Sequence, residues 1–278
     1  MKYIDKLLSA DGSRKYLWQL DDSKTVESIY FIFNEKKYTC ISSQVGCNVK
    51  CVFCETGKQN NLRDLTANEI FTQVKATHTD LNSTEPLYEV VFAGMGEPLL
   101  NFNNVMDGAG LVLNNGLASV ISLSTSGIIP KMYELVHSPV TKLFISLHAS
   151  SNAVRDYLVP INKKYPIEQL IKASTFFFEK AGSKVIATYL LFEDINDSDE
   201  DLERLLHLLD PAVYTVQLSV WNSIRGITLK PSGRIYYFEA FLRNKGYEVF
   251  VLNSKGSDVE GGCGQLRSRN ILVGELAQ

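Results

Sequence analysis

Cys40-Ile-Ser-Ser-Gln-Val-Gly-Cys47-Asn-Val-Lys-Cys51-Val-Phe-Cys54 holds four of the five cysteines of the chain. Cys47, Cys51 and Cys54 are spaced C-x3-C-x2-C. Cys40 stands apart upstream, and Cys263 lies far away in Gly261-Gly-Cys-Gly-Gln-Leu266. Three clustered thiolates suit a soft metal. Tetrahedral zinc would want a fourth thiolate or imidazole, and the four histidines offer no companion pair. An iron–sulfur cubane on three thiolates keeps one iron open for another ligand. A zinc clasp or unrelated buried thiols is the bland alternative.

Outward from this stretch, short apolar runs alternate with helical patterns. Tyr38–Ser42, Tyr88–Ala93, Val120–Ser124, Lys142–Leu147, Lys184–Phe192 and Tyr214–Trp221 read as strands covered on both faces. Thr66-Ala-Asn-Glu69 is a capping box, Asn103 is a candidate cap for the next helix, and Pro166 suits the first turn of a helix over Ile167–Lys180. Further helices are expected over Asp197–Leu209 and Pro231–Lys245, then a last strand at Tyr247–Leu252. Residues 1–36 form a β-rich lead-in, with strands at Tyr16–Leu20 and Glu27–Phe33. This order predicts an α/β fold with a parallel sheet, a partial or complete βα barrel in preference to an open doubly wound sheet. A single domain over 1–278 is expected: lead-in 1–36, partial barrel 37–252, and a C-terminal segment 253–278 carrying Cys263.

Composition narrows the class without naming a chemistry. The 278 residues are 45% hydrophobic, and 31 acidic against 28 basic side chains give a net charge of −3. That balance offers no general basic footprint for nucleic acid, although a local patch is compatible with it. No apolar run approaches the roughly 20 residues of a membrane span. Met1-Lys-Tyr-Ile-Asp-Lys has no signal-peptide core, which predicts a soluble cytoplasmic protein whose cysteines serve metal or redox chemistry.

Unusual residues gather where strands end. The cysteine cluster follows the first strand of the repeat and Gly94-Met-Gly-Glu-Pro98 the second. Ser124-Thr-Ser-Gly127 follows the third, Ser146-Leu-His148 ends the fourth, and Trp221-Asn222 ends the sixth. Parallel α/β folds assemble their sites at the carboxyl ends of strands, so these turns are read as one site. Singly, each has a structural reading. The glycine turn is a tight βα loop, with glycines that would let backbone approach a ligand. The Ser124 turn is a helix-capping loop, and His148 is a satisfied core histidine. Glu27 is a solvated strand carboxylate, and Cys263 a buried inert thiol.

The ordered text is more specific. Cys40-Ile-Ser-Ser-Gln-Val-Gly-Cys47, Gly94-Met-Gly-Glu-Pro-Leu-Leu-Asn101, Leu123-Ser-Thr-Ser-Gly127, Ile145-Ser-Leu-His148, Val159-Pro-Ile-Asn-Lys-Lys164, Trp221-Asn222 and Cys263-Gly-Gln-Leu266 resemble the RlmN/Cfr family of radical S-adenosylmethionine RNA adenine methyltransferases. The likeness runs from about Asp11 to Leu266. It implies a partial (β/α)6 radical-SAM barrel with a short N-terminal β extension and a 4Fe–4S cluster on Cys47, Cys51 and Cys54. S-adenosylmethionine, two per turnover, would be contacted by Gly96, Glu97, Ser124, Ser146, Leu147, His148 and Asn222.

The same resemblance implies roles for the remaining residues. Cys263 would accept a methyl group from one S-adenosylmethionine. A radical from the second would take hydrogen from that S-methyl, and the resulting carbon radical would add to adenine. Cys40 would then form a disulfide with Cys263 to release product, and Glu27 matches the proton acceptor. Implied partners are ribosomal RNA, with transfer RNA as a second substrate, and a reductant such as flavodoxin or ferredoxin. A monomer and no membrane are expected, and carbon 2 of adenine is preferred over carbon 8. Two features depart from the family pattern. The chain begins almost at the catalytic part, without the accessory RNA-binding domain. The segment before Cys263 is also less basic and has glycines at 261 and 262 where alanines are usual. Fewer cations mean fewer phosphate contacts. The same chemistry on a nucleotide, cofactor or peptide is therefore the second reading, and a zinc-clasped RNA-binding module the third.

Overall fold

Alternation at the N-terminus and continuous apolar runs further on divide the strands into antiparallel and parallel sets. The computed structural model describes residues 1–59, 63–253, 255–262 and 265–266. The chain forms two compact units. One comprises Met1–Asn48, Glu55–Ser122 and Lys255–Gln278, the other Val49–Cys54 and Leu123–Ser254.

The first unit opens with β1 (Lys2–Leu8), β2 (Arg14–Gln19), β3 (Thr25–Phe33) and β4 (Lys36–Ile41), each antiparallel to the next. β1 was not expected from the sequence. Its side chains are mostly exposed, so backbone pairing to β2 rather than apolar alternation holds it. A short ribbon, β5 (Gln44–Val45) with β6 (Arg63–Asp64), precedes α1 (Ala67–Asp80). The expected capping box is present: the Thr66 hydroxyl accepts from the Glu69 N–H, and the Glu69 carboxylate accepts from the Thr66 N–H. β7 (Leu87–Phe92) pairs parallel to β4, and α2 (Phe102–Asn114) and β8 (Ala118–Thr125) follow. Asn101, not Asn103, occupies the α2 N-cap, because the turn Pro98–Asn101 runs directly into the helix. The strand order in this unit is β1-β2-β3-β4-β7-β8.

β8 begins in the first unit and ends in the second. There follow α3 (Ile129–Glu134), β9 (Lys142–Ser146), α4 (Asn152–Leu158), α5 (Ile167–Ala181), β10 (Val185–Leu191), α6 (Asp199–Leu208), β11 (Tyr214–Val220), α7 (Ile235–Asn244) and β12 (Glu248–Leu252). β9 through β12 are parallel neighbours in chain order. β11 is buried on both faces through Ser219, the C-terminal half of β10 is likewise buried, and β9 and β12 are only partly covered. Pro166 is the N-cap of α5 rather than a residue of its first turn, and Gly182 closes that helix at φ 67°. Among the described residues no helix is long and apolar enough to cross a membrane.

Candidate active site

In the first unit, the turn after β7 is built around the chain leaving β4. The Ser43 and Gln44 N–H groups donate to the Met95 carbonyl at 2.8 and 3.2 Å, and the Gly94 N–H to the Ile41 carbonyl at 3.0 Å. The Ser42 hydroxyl accepts from the Met95 N–H and donates to the Glu27 carbonyl. A Cβ on Gly94 would stand 2.6 Å from the Ile41 carbonyl oxygen. One on Gly96, at φ 99°, would stand 2.6 Å from Gln44 Cβ. These glycines therefore admit the protein's own chain at close range. Glu97 is buried: its N–H donates to Gln44 Oε1, and its Oε1 accepts from the Leu99 N–H.

Strand register places Cys40 and Glu27 on one face. Cys40 is opposite Ile29, Ile29 is opposite Lys15, and Glu27 is opposite Leu17. Directly opposed residues share a face, as do residues two apart on a strand. Glu27 is not solvated as its local text suggested. It is 1% exposed, and the ammonium of Lys15, 2% exposed, lies 3.0 Å from its Oε2. The C-terminal segment crosses this face. Cβ atoms built on Gly256 and Gly261 would stand 2.9 and 2.4 Å from Ile29 Cδ1, so glycine at 261 accommodates Ile29.

Polar contacts fasten that segment to the β1–β2 turn. Asp258 accepts from the Ser9 hydroxyl at 2.5 Å and the Ala10 N–H at 3.0 Å, and Asp11 accepts from the Gly256 N–H at 3.0 Å. Burial pushes the Asp11 carboxyl up, but hydrogen bonds from Ser13 and Gly256 outweigh it and hold the group below the usual carboxylate range. Lys15 Nζ donates to the Glu260 carbonyl at 2.9 Å. Further on, the Leu266 carbonyl accepts from the Thr56 hydroxyl at 2.7 Å. Cys263 lies outside the described residues; its flanks are fixed at Gly261 and Leu266.

In the second unit, Phe53 ties the Cys51–Cys54 turn to the strand ends. Its carbonyl accepts from Trp221 Nε1 at 3.0 Å, and its ring meets His148 edge-on at 5.0 Å and Phe192 at 5.7 Å. The Val52 N–H donates to the Leu158 carbonyl at 3.2 Å. His148 is buried at φ 52°, a left-handed conformation that costs a bulky residue roughly 1–3 kcal/mol. Its Nδ1 accepts from the Leu190 N–H at 3.1 Å, and its carbonyl accepts from Asn196 Nδ2 at 2.8 Å. That acceptor role at Nδ1 assigns the proton of the neutral ring to Nε2.

Ser124, Ser146 and Asn222 are partly exposed and Leu147 is buried. Arg155, to which sequence reasoning gave no role, braces two of these strand ends. It is wholly buried. Its Nε donates to the Leu147 carbonyl at 3.0 Å, Nη1 to Asn162 Oδ1 at 2.9 Å, and Nη2 to the carbonyls of Ser126 at 2.7 Å and Ser146 at 2.9 Å. Asn162 belongs to the Val159–Lys164 motif, which was the one available signal. Gln44, Phe53, Asn196 and Lys15 were likewise missed, because each acts through a partner distant in sequence.

Burial, then the nearby Arg155 guanidinium, bring the His148 imidazole down to about 3 from 6.5. A histidine neutral in the fold and protonated when unfolded makes stability rise with pH between those two values. The contribution is complete above about pH 6.5 and falls, by at most ~1.4 kcal/mol per pH unit, as pH drops toward the folded value. Urea midpoints measured from about pH 7 to 4 should fall less steeply for His148→Asn than for the parent; equal slopes would refute this.

Cys47, Cys51 and Cys54 are each partly exposed. Among the described residues, no three or more cysteine, histidine and carboxylate side chains already converge as a cage for a single metal ion. What fits an iron–sulfur cluster is the donor chemistry: three soft thiols within one loop, each partly exposed.

Residues 41–209 match the family model of the Radical SAM superfamily. The fold is similar to a radical SAM methyltransferase from Sphaerobacter thermophilus, with TM-score 0.89 and 34% identity over 96% of this chain and 81% of that one. The chain is a radical S-adenosylmethionine protein of α/β fold, in the partial-barrel class expected from its strand–helix order. It is 37% identical to a probable dual-specificity RNA methyltransferase RlmN of Thermotoga sp. (strain RQ2), over 98% of this chain and 80% of that protein. It is also 37% identical to the dual-specificity RNA methyltransferase RlmN of Marinomonas sp. (strain MWYL1), over 95% and 75%. Within the superfamily, the chain belongs to the RlmN family.

Proposed function

We propose that the chain methylates an adenine carbon of RNA, carbon 2 in preference to carbon 8, by way of a methyl group carried on Cys263. The observation that carries this reading is the C-terminal segment: Gly256 and Gly261 lie on Ile29, the cross-strand neighbour of Cys40, on the face that also bears Glu27. A methyl-carrying thiol needs a resolving thiol and a base within reach, and this face supplies both. The names of the RlmN relatives support RNA as substrate.

Cys47, Cys51 and Cys54 would hold the 4Fe–4S cluster. Gly96, Glu97, Ser124, Ser146, Leu147, His148 and Asn222 would contact S-adenosylmethionine. Together these groups would supply an electron and a carbon radical, which an amidine carbon requires because it is not nucleophilic. The protein's own residues do the rest. Cys263 carries the methyl group, Glu27 takes the ring proton while the unpaired electron left on the ring would return to the cluster, and Cys40 breaks the bond between Cys263 and the product. The Glu97 carboxylate, buried and fixed by the Leu99 N–H, is suited to an ammonium or ribose hydroxyls. A protein of the flavodoxin or ferredoxin kind would deliver the electron.

The test is anaerobic reconstitution followed by incubation with labelled S-adenosylmethionine and total RNA, then nucleoside analysis. Labelled C-methyladenosine is expected from the parent, and Cys263→Ala is expected to lose at least about a hundredfold in product. Wild-type product from Cys263→Ala would overturn the route through a protein-bound methyl. Label absent from RNA with the parent would point to a different substrate.

A further inference from the structure

We propose that Lys15 is a positioning residue that joins Glu27 to the C-terminal segment: one ammonium holds the carboxylate as its anion and the segment in place. This rests on the reading of Glu27 as proton acceptor. Three observations carry the step beyond it. Lys15 is 2% exposed and Glu27 1%, and their charged atoms are 3.0 Å apart. An ammonium is rarely buried so completely without a task for its charge. The same Nζ donates to the Glu260 carbonyl at 2.9 Å, three residues before Cys263. Lys15 and Glu27 also line a small cavity with Asp5, Leu7 and Leu17.

The physical argument is one of charge. A buried carboxylate tends to take up a proton, and a protonated Glu27 cannot accept another from a substrate carbon. An opposite charge within hydrogen-bond reach favours the anion. Lys15 supplies that charge and keeps its own proton, so the proton leaving the ring goes to Glu27 alone. Because Lys15 is shared with the Glu260 carbonyl, the anion is best held when the segment lies in place across the face. The other titratable groups here are Asp5 beside the cavity, Cys40 on β4 and the Glu260 side chain. Asp5 and Glu260 are acidic, so neither replaces the cation.

The test compares Lys15→Met, Lys15→Arg, Lys15→Gln and Glu27→Gln, reconstituted with cluster and assayed on protein-free ribosomal RNA. Thermal midpoint, iron content and 5′-deoxyadenosine formation establish that each variant is folded and loaded. Lys15→Met is expected to lose about tenfold in product near neutral pH and to regain rate as pH rises. The acid limb of its profile should move up by about one pH unit, while 5′-deoxyadenosine formation stays at the parent's rate. Lys15→Arg should restore the limb. A second readout needs no turnover: amide hydrogen exchange of residues 255–262 in cluster-free protein, followed by mass spectrometry, should be about fivefold faster in Lys15→Met, because losing the bond to the Glu260 carbonyl favours local opening there. If Lys15→Met does not fold, Lys15→Gln, which keeps a side-chain amide for the carbonyl, must still move the limb. An unmoved limb, or exchange at the parent's rate in Lys15→Met, overturns the coupling. Full product from Glu27→Gln would instead overturn the reading of Glu27 on which the coupling stands.

Discussion

Replacing Cys40 by alanine is expected to leave the fold and S-adenosylmethionine cleavage intact while converting the product into a covalent conjugate of RNA with Cys263. Cys40 is partly exposed on β4, so losing its sulfur should cost little stability, about 1 kcal/mol or less. Its expected work comes late. Once carbon has joined Cys263 to the adenine ring, the Cys40 thiolate attacks the Cys263 sulfur. A sulfur–sulfur bond forms, the sulfur–methylene bond breaks, and its electron pair passes to the methylene carbon, which a proton completes as methyl. An external thiol then reduces the disulfide for the next cycle. Without Cys40 the sulfur–methylene bond has no partner to break it, and turnover should fall at least about a hundredfold. A denaturing gel should show RNA-linked protein in Cys40→Ala and none in Cys40→Ala/Cys263→Ala, and nuclease digestion should leave the added mass on the peptide containing Cys263. Multiple turnovers without conjugate would remove Cys40 from the mechanism. Strand pairing makes the test specific, since Cys40 is opposite Ile29 and Ile29 is what Gly256 and Gly261 touch.

The parallel strands were legible because each centres on a short, mostly apolar run, and their ends within a residue or two followed from the polar text after them. Periodicity reports burial, so β1, whose side chains are mostly exposed, left no such mark. Thr66 and Glu69 were legible as a capping box because both halves lie within one turn. The α2 cap was misplaced because Pro98–Asn101 already winds as a helical turn. The cysteines and strand-end motifs stood out because reactive residues are rare and clustered.

What the sequence could not convey is which residues hold those motifs. Lys15 reaches Glu27 because they sit on adjacent strands in diagonal register, and an ammonium in an alternating strand reads as an exposed one. Phe53 looks like filler between Cys51 and Cys54, yet its carbonyl and ring join that turn to Trp221 and His148. The glycines of Gly94-Met-Gly-Glu-Pro98 have a partner of the same kind. Both admit the chain leaving β4 at close range. In each case the residue type was visible and its partner was not.

Arg155→Met should be the most destabilising single change in the second unit. Methionine occupies much of the same volume, so the cost arises from hydrogen bonding rather than a cavity. Four acceptors lose their donor: the carbonyls of Ser126, Ser146 and Leu147 and the amide oxygen of Asn162. Each buried acceptor left unsatisfied costs about 1–3 kcal/mol, and allowing for relaxation among neighbours the sum should be about 3–5 kcal/mol. For a domain of this size that lowers the thermal midpoint by about 10 °C. Lysine should rescue little, since a single ammonium cannot reproduce the planar fork that serves three carbonyls and an amide at once. Asn162→Leu, which removes one partner, should cost about 1–2 kcal/mol. The functional consequence follows from position. Ser126 lies just past β8 and Ser146 ends β9, so loss of the brace frees the strand ends proposed to contact S-adenosylmethionine. Binding measured by equilibrium dialysis should weaken more in Arg155→Met than in a variant of equal thermal midpoint made in the apolar core, such as Phe177→Ala. Equal losses would reduce Arg155 to a stability residue, while a midpoint within about 2 °C of the parent would show that water satisfies these carbonyls when the guanidinium is gone.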